Sequence, residues 1–268
     1  MRDGVLLIDK PAGKTSHDVV AAVRRDLESR PRPRVGHAGT LDPFATGLLL
    51  VLVGRATRIQ RYLMALPKRY ETVARLGATS STGDTEGEIT VTGRLPRDPP
   101  RLPTGELLQR PPAYSAVKVA GKRAYALARA GEEVVLDERP VTVHRFEQLW
   151  REGDRAAFEI ECSSGTYVRT LISDLSDAYC VELRRTAIGQ FDVADADPGR
   201  LIGLEQALAF MPVMRLQESD AERAGHGVAI PREPPPGAAE VLLVDGEGPI
   251  AIAEPRHGTL KPIVGFRG

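Results

Sequence analysis

Residues 35–54 restrict the fold of this chain more than any other segment, because these twenty consecutive residues carry almost no charge. Their sequence is VGHAGTLDPFATGLLLVLVG, in which Asp42 is the one formally charged side chain. The aliphatic run at 48–53 is typical of a buried strand. The glycines and Pro43 before this run predict a rigid turn, since glycine permits unusual dihedrals and proline fixes φ. We therefore expect Asp42 on a rigid turn beside the core.

Asp42 fits two roles in such a turn. An aspartate followed by proline is a common start of a helix, with the carboxylate capping backbone N–H groups and proline at the first helical position. The alternative is that a carboxylate isolated among apolar residues acts chemically. The turn taken alone favours the capping role.

The composition is that of an ordinary folded protein. The chain has 268 residues, 42% of them hydrophobic, which suffices for one large domain and a small one. Its two cysteines, Cys162 and Cys180, are too few for a disulfide framework or a four-ligand metal site. We expect no signal peptide, no membrane span of roughly 20 apolar residues, and a location in the reducing cytoplasm.

The formal net charge is zero, but the charges are unevenly distributed along the chain. Residues 24–75 carry eleven Lys or Arg against four Asp or Glu, and residues 107–131 carry five basic residues and no acidic one. Residues 216–254 reverse this balance, with eight acids and two arginines. Thirty of the 36 cations are arginine, whose planar fork suits phosphate and base contacts. The basic regions are either solvated faces or a nucleic-acid surface.

The first 210 residues predict strands and helices in a mixed order, without a regular βαβ repeat. Thr15 and Asp18 have the spacing of a capping box at the start of a helix. Strands are predicted at 4–9, 48–53, 68–76, 88–92, 141–150, 156–162 and 183–186, and further helices at about 57–65, from 166 onwards and at 203–210.

The segment 96–112 contains six prolines, which cannot donate to a sheet ladder. We therefore expect an exposed, irregular excursion outside the central sheet. The adjoining residues 114–125 combine two tyrosines with three cations. This composition fits RNA contact through stacking and phosphate binding, and it fits an ordinary surface hairpin and helix equally well.

Arg169 is predicted in the first turn of the helix that begins at Thr166. A cation there opposes the helix dipole at a cost of about 0.3–1 kcal/mol. Either an anion from elsewhere in the fold holds Arg169, or the side chain is exposed and tolerates this cost. Further along, the prolines at 234–236 and a shift in composition predict a separate C-terminal module, and apolar runs at 241–244 and 250–253 predict that it is all-β.

The sequence contains six motifs in this order: GVLLIDKP at 4–11, GHAGTLDP at 36–43, KRY at 68–70, YSA at 114–116, GTYVR at 165–169 and LRRT at 183–186. Together these motifs resemble those of the TruB family of tRNA pseudouridine synthases over roughly residues 4–191. The resemblance implies an α+β pseudouridine-synthase fold with a mixed, largely antiparallel sheet, followed by a small PUA-like β-barrel. It implies a catalytic domain at 1–212, with an RNA-clasping insertion at about 96–131, and an RNA-binding domain at 213–268.

The resemblance implies that uridine 55 in the T loop of tRNA is flipped out and isomerised to pseudouridine, without cofactor or metal. Asp42 matches the catalytic aspartate of the family. The chemistry agrees, because the uracil must leave C1′ of the ribose, rotate and rejoin through C5, so that a carboxylate beside C1′ is required. Direct attack on C1′ and a glycal route are both compatible with the sequence.

Other site residues follow from the resemblance. Tyr70 matches the tyrosine that stacks on the target uracil, and it is a candidate base at C2′. Arg169 matches the arginine that pairs with the aspartate, which would supply the missing anion. His37 matches the histidine that packs into the T loop, while Tyr167 and Leu183 match pocket residues.

The resemblance also implies a set of partners. The substrate is tRNA, bound by its T arm and at its acceptor end, for which Arg256, Lys261 and Arg267 are candidates. A monomer without membrane association or an obligatory protein partner is expected.

Asp84 matches a motif near the cleft, and we expect a structural role for it. The C-terminal module is compact, and the stretch before Leu183 is shorter than in many relatives.

Three other interpretations share parts of this pattern. A guide-dependent relative would modify other RNAs in a complex, a base-excising glycosylase would release free uracil, and an RNA-binding or tRNA-folding factor would remodel RNA with catalysis secondary or partner-dependent.

Overall fold

The computed structural model describes residues 3–27, 33–115 and 136–267, together with 117–119, 121–124, 127, 130, 132 and 134. Within these residues a mixed, largely antiparallel sheet forms the centre of the molecule, and a smaller C-terminal sheet packs against it. The mixed sheet predicted from the sequence is confirmed. No helix in the described ranges is both long and apolar enough to cross a membrane.

The strands are named in chain order. They are β1 (Gly4–Lys10), β2 (Val35–His37), β3 (Thr46–Val53), β4 (Lys68–Leu76), β5 (Ala78–Ser80), β6 (Ile89–Val91), β7 (Gly105–Gln109), β8 (Lys118–Val119), β9 (Lys122–Arg123), β10 (Arg139–Glu152), β11 (Arg155–Cys162), β12 (Ala178–Ile188), β13 (Phe191–Asp192), β14 (Asp197–Ile202), β15 (Val213–Arg215), β16 (Val241–Asp245), β17 (Gly248–Arg256) and β18 (Thr259–Gly265).

The helices whose bounds the structure describes are short. They are α1 (Ser16–Asp26), α2 (Gln60–Ala65), α3 (Val168–Ser173), α4 (Leu204–Ala207) and α5 (Glu218–Gly225), with 3-10 helices at Gly54–Ile59 and Val193–Asp195. The capping box before α1 is confirmed: the Asp18 N–H donates to Thr15 Oγ1 at 3.1 Å, and the Thr15 N–H donates to Asp18 Oδ2 at 2.9 Å.

The central sheet has the strand order β14-β1-β3-β12-β4-β11-β10-β7, with β2 added to β3 and β13 added to β12. Strands β3 and β12 are parallel, with Thr46 opposite Arg184, and the other pairs in this sheet are antiparallel. This parallel pair places the chain that enters β3, including Asp42, beside the middle of β12.

Strand β3 is buried on both faces, as its composition predicts. Leu49, Val51 and Val53 pack in a cluster with Val20 of α1. Leu48, Leu50 and Leu52 point the other way, into a larger cluster that includes α2 and the C-terminal sheet. Because both faces are packed, a charge anywhere along this run would be buried, which explains why the run has none.

The prediction that residues 96–112 lie outside the central sheet is wrong for β7. This strand pairs with β10, from Gln109 opposite Arg139 to Gly105 opposite Val143. Its five residues contain no proline, so each can donate its N–H, and the prolines at 103, 111 and 112 lie outside it. The proline-rich segment therefore contributes an edge strand.

The prediction that the C-terminal module is all-β is wrong as well. Helix α5 packs against a sheet of order β15-β16-β17-β18, burying Ala221 and Ala224 against one face. Ile230 adds an isolated antiparallel bridge to Leu260 of β18. Leu242 and Val244 on the opposite face pack into the same core as β1 and β3, because neighbouring strand residues point to opposite faces. The C-terminal sheet thus shares a core with the rest of the molecule.

Candidate active site

Asp42 lies in the loop between β2 and β3, residues 38–45, here called the Asp42 loop. The loop closes with a backbone hydrogen bond from the Ala45 N–H to the Asp42 carbonyl at 3.2 Å, and β3 follows at Thr46. No helix begins at or directly after Pro43, where the chain bends and then enters β3. The capping interpretation of Asp42 is therefore wrong.

Side chains from distant segments hold the residues on either side of Asp42. The Leu41 N–H donates to Ser16 Oγ at 2.9 Å. Lys10 is fully buried, and its Nζ donates to the carbonyls of Pro43 at 3.2 Å and of two other residues. Burial lowers the pKa of the Lys10 ammonium, and the nearby Asp42 carboxylate opposes that shift. These contacts fix the loop before any substrate binds, which favours catalysis.

Arg185 of β12 holds the same loop from another side. Its side chain is 1% exposed, with Nε donating to the Leu48 carbonyl at 2.8 Å and Nη2 to the Gly39 carbonyl at 3.1 Å. Gly47 allows the close approach, because a Cβ there would lie 2.3 Å from the Arg185 carbonyl oxygen and its φ is +103°.

Arg169 links Asp42 to a second carboxylate. Helix α3 begins at Val168 rather than at the predicted Thr166, and Arg169 lies in its first turn. Arg169 Nε lies 2.9 Å from Asp42 Oδ2, and its Nη1 lies 3.3 Å from Asp84 Oδ2. Its side chain is 4% exposed. The two carboxylates supply the anion that the helix-dipole argument demands.

The terminal nitrogens of Arg169 also donate to backbone carbonyls. Nη1 donates to the Thr82 carbonyl at 2.6 Å, and Nη2 donates to the Tyr114 carbonyl at 2.8 Å. Asp84, which is buried, accepts from Thr82 Oγ1 at 2.5 Å and from the Glu86 N–H at 3.0 Å. The guanidinium is therefore held rigidly between two acids and two carbonyls.

Asp42 is accessible despite these contacts, since 33% of its side chain is exposed. Its depth in the protein raises the pKa of the carboxyl, the Arg169 guanidinium opposes that rise, and the Asp84 charge adds to it. An accessible carboxylate paired to one rigid cation can attack an electrophilic carbon or accept a proton.

Tyr70 and Leu183 form part of an apolar wall together with Leu41 of the Asp42 loop. Tyr70 is 9% exposed and lies on β4 opposite Arg185 of β12. Burial raises the pKa of the Tyr70 phenol and the Arg185 charge opposes this shift, so the ring is neutral at physiological pH. Leu183 lies on β12 opposite Thr72, which sets its register.

Tyr167 immediately precedes α3 and is half-buried. Burial raises the pKa of its phenol; the Asp42 carboxylate adds to that rise and the Arg169 guanidinium opposes it. His37 lies on β2 opposite Val51, and its carbonyl accepts from Gln60 Nε2 at 2.8 Å.

Three arginines line a cleft of about 220 Å³ at one end of β2 and β3, together with Asp3. We call it the arginine cleft; its arginines are Arg34, Arg55 and Arg58. Arg55 and Arg58 donate to the backbone carbonyls of residues 266 and 265, which holds both side chains in place. The helical spacing of Arg55 and Arg58 is evident in the sequence, whereas their proximity to Arg34 is not.

The candidates for acceptor-end contact all have partners within the chain. The Arg256 side chain pairs with Glu254 at 2.5 Å, Arg267 pairs with Asp245 at 2.5 Å, and Lys261 Nζ donates to the Gly227 carbonyl at 2.8 Å. Within the predicted clasping insertion, Ala116, Tyr125 and Arg129 lie outside the described residues. In the part of the chain that the structure describes, no three His, Cys, Asp or Glu side chains are placed to hold a metal ion.

Sequence reasoning missed the residues that hold the site. Lys10 belongs to the first motif and Ser16 follows it. Nothing in the sequence around either residue indicates its contact with the Asp42 loop. Arg185 could have been found, because strand alternation places it on the same face as Leu183. Gln109, which binds the backbone of Tyr167, had no signal beyond its position at the end of a short apolar run.

Comparison with known proteins identifies relatives of this chain. A family model described as TruB family pseudouridylate synthase (N terminal domain) matches residues 24–168. A tRNA pseudouridine synthase B of Thermobifida fusca is 43% identical, with all of both chains covered. The protein of the same name from Leifsonia xyli is 42% identical, covering 99% of this chain and 93% of its own length.

Solved structures share the fold. A Cbf5-Nop10-Gar1 complex contains a chain that is 25% identical, with a TM-score of 0.66 and coverage of 94% of this chain and 78% of that one. An H/ACA RNP bound to a substrate RNA gives a TM-score of 0.71 at 23% identity, covering 99% of this chain and 85% of that one. The predicted pseudouridine-synthase fold is thus confirmed, and the chain belongs to the TruB family of pseudouridylate synthases.

Proposed function

We propose that this pseudouridine synthase isomerises the uridine at position 55 in the T loop of tRNA. The observation that carries the chemistry is the accessible Asp42 carboxylate, held on a rigid loop and paired with Arg169 at 2.9 Å. The choice of substrate is supported by full-length relatives that bear the name tRNA pseudouridine synthase B.

The reaction balances without a redox partner. The bond between N1 of uracil and C1′ breaks, a bond between C5 and C1′ forms, C5 loses its proton, and N1 gains one. Asp42 acts at C1′, either by attacking the carbon as the uracil leaves or by assisting a glycal route in which C2′ gives up a proton as the uracil leaves and regains it when C5 bonds to C1′. Tyr70 is the candidate base for that proton, and its neutral phenol favours its other role, as a stacking partner.

Arg169 keeps Asp42 oriented toward the reacting carbon. Four contacts immobilise the guanidinium, so its charge is already in place when the base enters and water is displaced. Asp84 balances this buried cation. If Asp42 were the sole carboxylate beside Arg169, the guanidinium would carry an uncompensated desolvation cost once Asp42 reacts.

The uridine must leave the T loop to reach Asp42, and unstacking it costs on the order of a few kcal/mol. Stacking on Tyr70 would recover about 1–3 kcal/mol. Leu183 and Tyr167 complete the pocket, and His37 occupies the space that the base vacates in the loop.

The RNA backbone would follow the basic surface near His37. Arg34 lies three residues before His37, a distance of roughly 10 Å along an extended chain, so the arginine cleft is placed to receive a phosphate of the same T arm. The same proposal includes a catalytic domain at 1–212, with the clasping insertion at about 96–131, and a PUA-like domain at 213–268. So are action as a monomer in the cytoplasm and contact with the acceptor end.

Tritium release from C5 of a uridine-labelled T-arm stem-loop tests the function. Wild type and Asp42→Asn are compared side by side, and RNA binding is measured for both. Release by wild type and none by a folded, RNA-binding Asp42→Asn supports the proposal. Binding without release by wild type contradicts it and favours an RNA-folding or partner-dependent role, whereas free uracil among the products would indicate a glycosylase.

A further inference from the structure

Gln109 is a buried polar residue outside the residues assigned to the reaction. It ends the edge strand β7 and is 4% exposed. Its Oε1 accepts from the Tyr167 N–H at 2.7 Å, and its Nε2 donates to the Tyr167 carbonyl at 3.1 Å. One amide side chain thus binds both backbone polar groups of one residue, 58 positions away in the chain.

Tyr167 needs such a partner. It is the N-cap of α3, with an extended backbone at φ −99° and ψ 108°, and no side chain caps the helix there. A buried N–H without a partner costs about 1–3 kcal/mol. The Gln109 amide satisfies this N–H and also fixes the orientation of the peptide from which α3 starts.

A second contact ties the segment after β7 to the same helix. The Tyr114 carbonyl accepts from Arg169 Nη2 at 2.8 Å. Gln109 and Tyr114 therefore contact α3 at its N-cap and at Arg169, two residues further along.

We propose that Gln109 is a positioning residue for the isomerisation: its amide fixes the backbone of Tyr167 and thereby sets α3 and Arg169 against Asp42. The residue touches none of the reacting atoms and acts through Tyr167 and Arg169. Small displacements matter here, since a misplacement of about 1 Å at a reacting group can lower a rate about 100-fold.

The test is Gln109→Met, which preserves side-chain volume and removes both hydrogen bonds. Gln190→Met is the matched control, because Gln190 Nε2 also donates to a backbone carbonyl, that of Gln206 at 3.0 Å, on the exposed surface. Three quantities are measured on the full chain: the single-turnover rate of tritium release at saturating T-arm RNA, the Kd for that RNA, and hydrogen exchange by peptide.

For Gln109→Met we expect the rate at saturation to fall about tenfold or more, with Kd within about threefold of wild type. Exchange should accelerate in residues 165–173 and remain unchanged in residues 178–188. Gln190→Met should match wild type in all three. A rate within twofold of wild type would overturn the proposal, as would faster exchange throughout the central sheet, because that result indicates general destabilisation.

The rate assay rests on the proposed function, since it uses the T-arm substrate, and the exchange assay does not. If wild type released no tritium, the proposed substrate would be wrong. Unchanged exchange at 165–173 in Gln109→Met would then overturn the positioning role by itself, and selective acceleration there would support it.

Discussion

Two Asp–Arg pairs in this molecule look alike and differ in what they can do. Asp245 of the C-terminal sheet accepts two hydrogen bonds from Arg267, at 2.5 and 2.6 Å, and a third from the Glu247 N–H at 2.8 Å. Asp42 has one ion pair, at 2.9 Å, among the contacts that the described residues form with it. A carboxylate with most of its lone pairs engaged is a structural charge, whereas one with a single cation partner stays available for chemistry.

The pKa shifts of the two carboxyls have opposite signs. The Arg267 hydrogen bonds lower the pKa of Asp245 to about 2. Depth in the protein raises the pKa of Asp42, although Arg169 opposes it. Exposed area alone would predict that burial raises the pKa of Asp245 more than that of Asp42, because 17% of the Asp245 side chain is exposed and 33% of the Asp42 side chain. The amount of protein around a carboxyl and the number of its donors therefore separate the two pairs, and exposed area does not.

The largest effect is expected for Asp42→Asn, with Asp245→Asn as its matched control. Asp42→Asn should lower the rate of tritium release by at least about 10³-fold, because the proposed reacting group is lost. Asp245→Asn should leave the rate within about twofold. Single-turnover kinetics on T-arm RNA measure both, with circular dichroism to verify folding. Comparable losses in the two variants would mean that the contrast between the pairs has no functional meaning.

A smaller loss is expected when the cation at the site changes shape. Arg169→Lys keeps a charge but cannot reach two carboxylates and two carbonyls at once, so we expect the rate to fall roughly 100-fold. The control is Arg232→Lys, whose arginine pairs with Asp220 at 2.8 Å in the C-terminal module. Equal rates for wild type and Arg169→Lys would show that a point charge suffices beside Asp42.

Thermal unfolding against pH should separate the two aspartates by sign. A raised pKa means that Asp42 stabilises the fold below the ordinary aspartate value of 3.8 and that this contribution is lost as the pH rises through the folded value. Asp245 behaves oppositely: its contribution is present above 3.8 and is lost as the pH falls toward about 2. At pH 7, Asp245→Asn should therefore lower Tm by a few degrees, and Asp42→Asn should not lower it.

The Tm difference between each variant and wild type, measured as a function of pH, checks this prediction. The Tm difference between Asp245→Asn and wild type should shrink as the pH approaches 2, where the native carboxyl is itself protonated. If both variants had a Tm lowered by the same amount at neutral pH, the assignment of opposite signs to the two pKa shifts would be wrong.

The smallest effect concerns the arginine cleft. Arg34→Gln should weaken T-arm binding, reduce the slope of log K against log salt by about 1, and leave the rate at saturating RNA unchanged. Arg145→Gln is the control, since that arginine is engaged with Glu147 and Glu159 at 2.6 Å. An unchanged salt slope in Arg34→Gln would remove the cleft from the RNA path.

Some features of the fold and the site were predictable because they depend on neighbouring residues. The burial of 48–53 follows from an uninterrupted aliphatic run, and the cap of α1 follows from the spacing of Thr15 and Asp18. The helix-dipole argument required an anion near Arg169 before any partner was known. The place of β7 was not predictable from the density of prolines, because the seven residues between Pro103 and Pro111 were enough for a five-residue edge strand.

Local pattern thus accounts for which residues are buried, where α1 starts and which carboxylate is isolated. It does not account for what holds that carboxylate in place. Arg185 reaches Gly39 across 146 positions, and Lys10 reaches Pro43 across 33. Each bond joins a side chain to a backbone carbonyl, a group that every residue carries, so no residue type at the receiving end marks the contact. Strand pairing alone brings these groups within hydrogen-bonding distance, and packing completes the site.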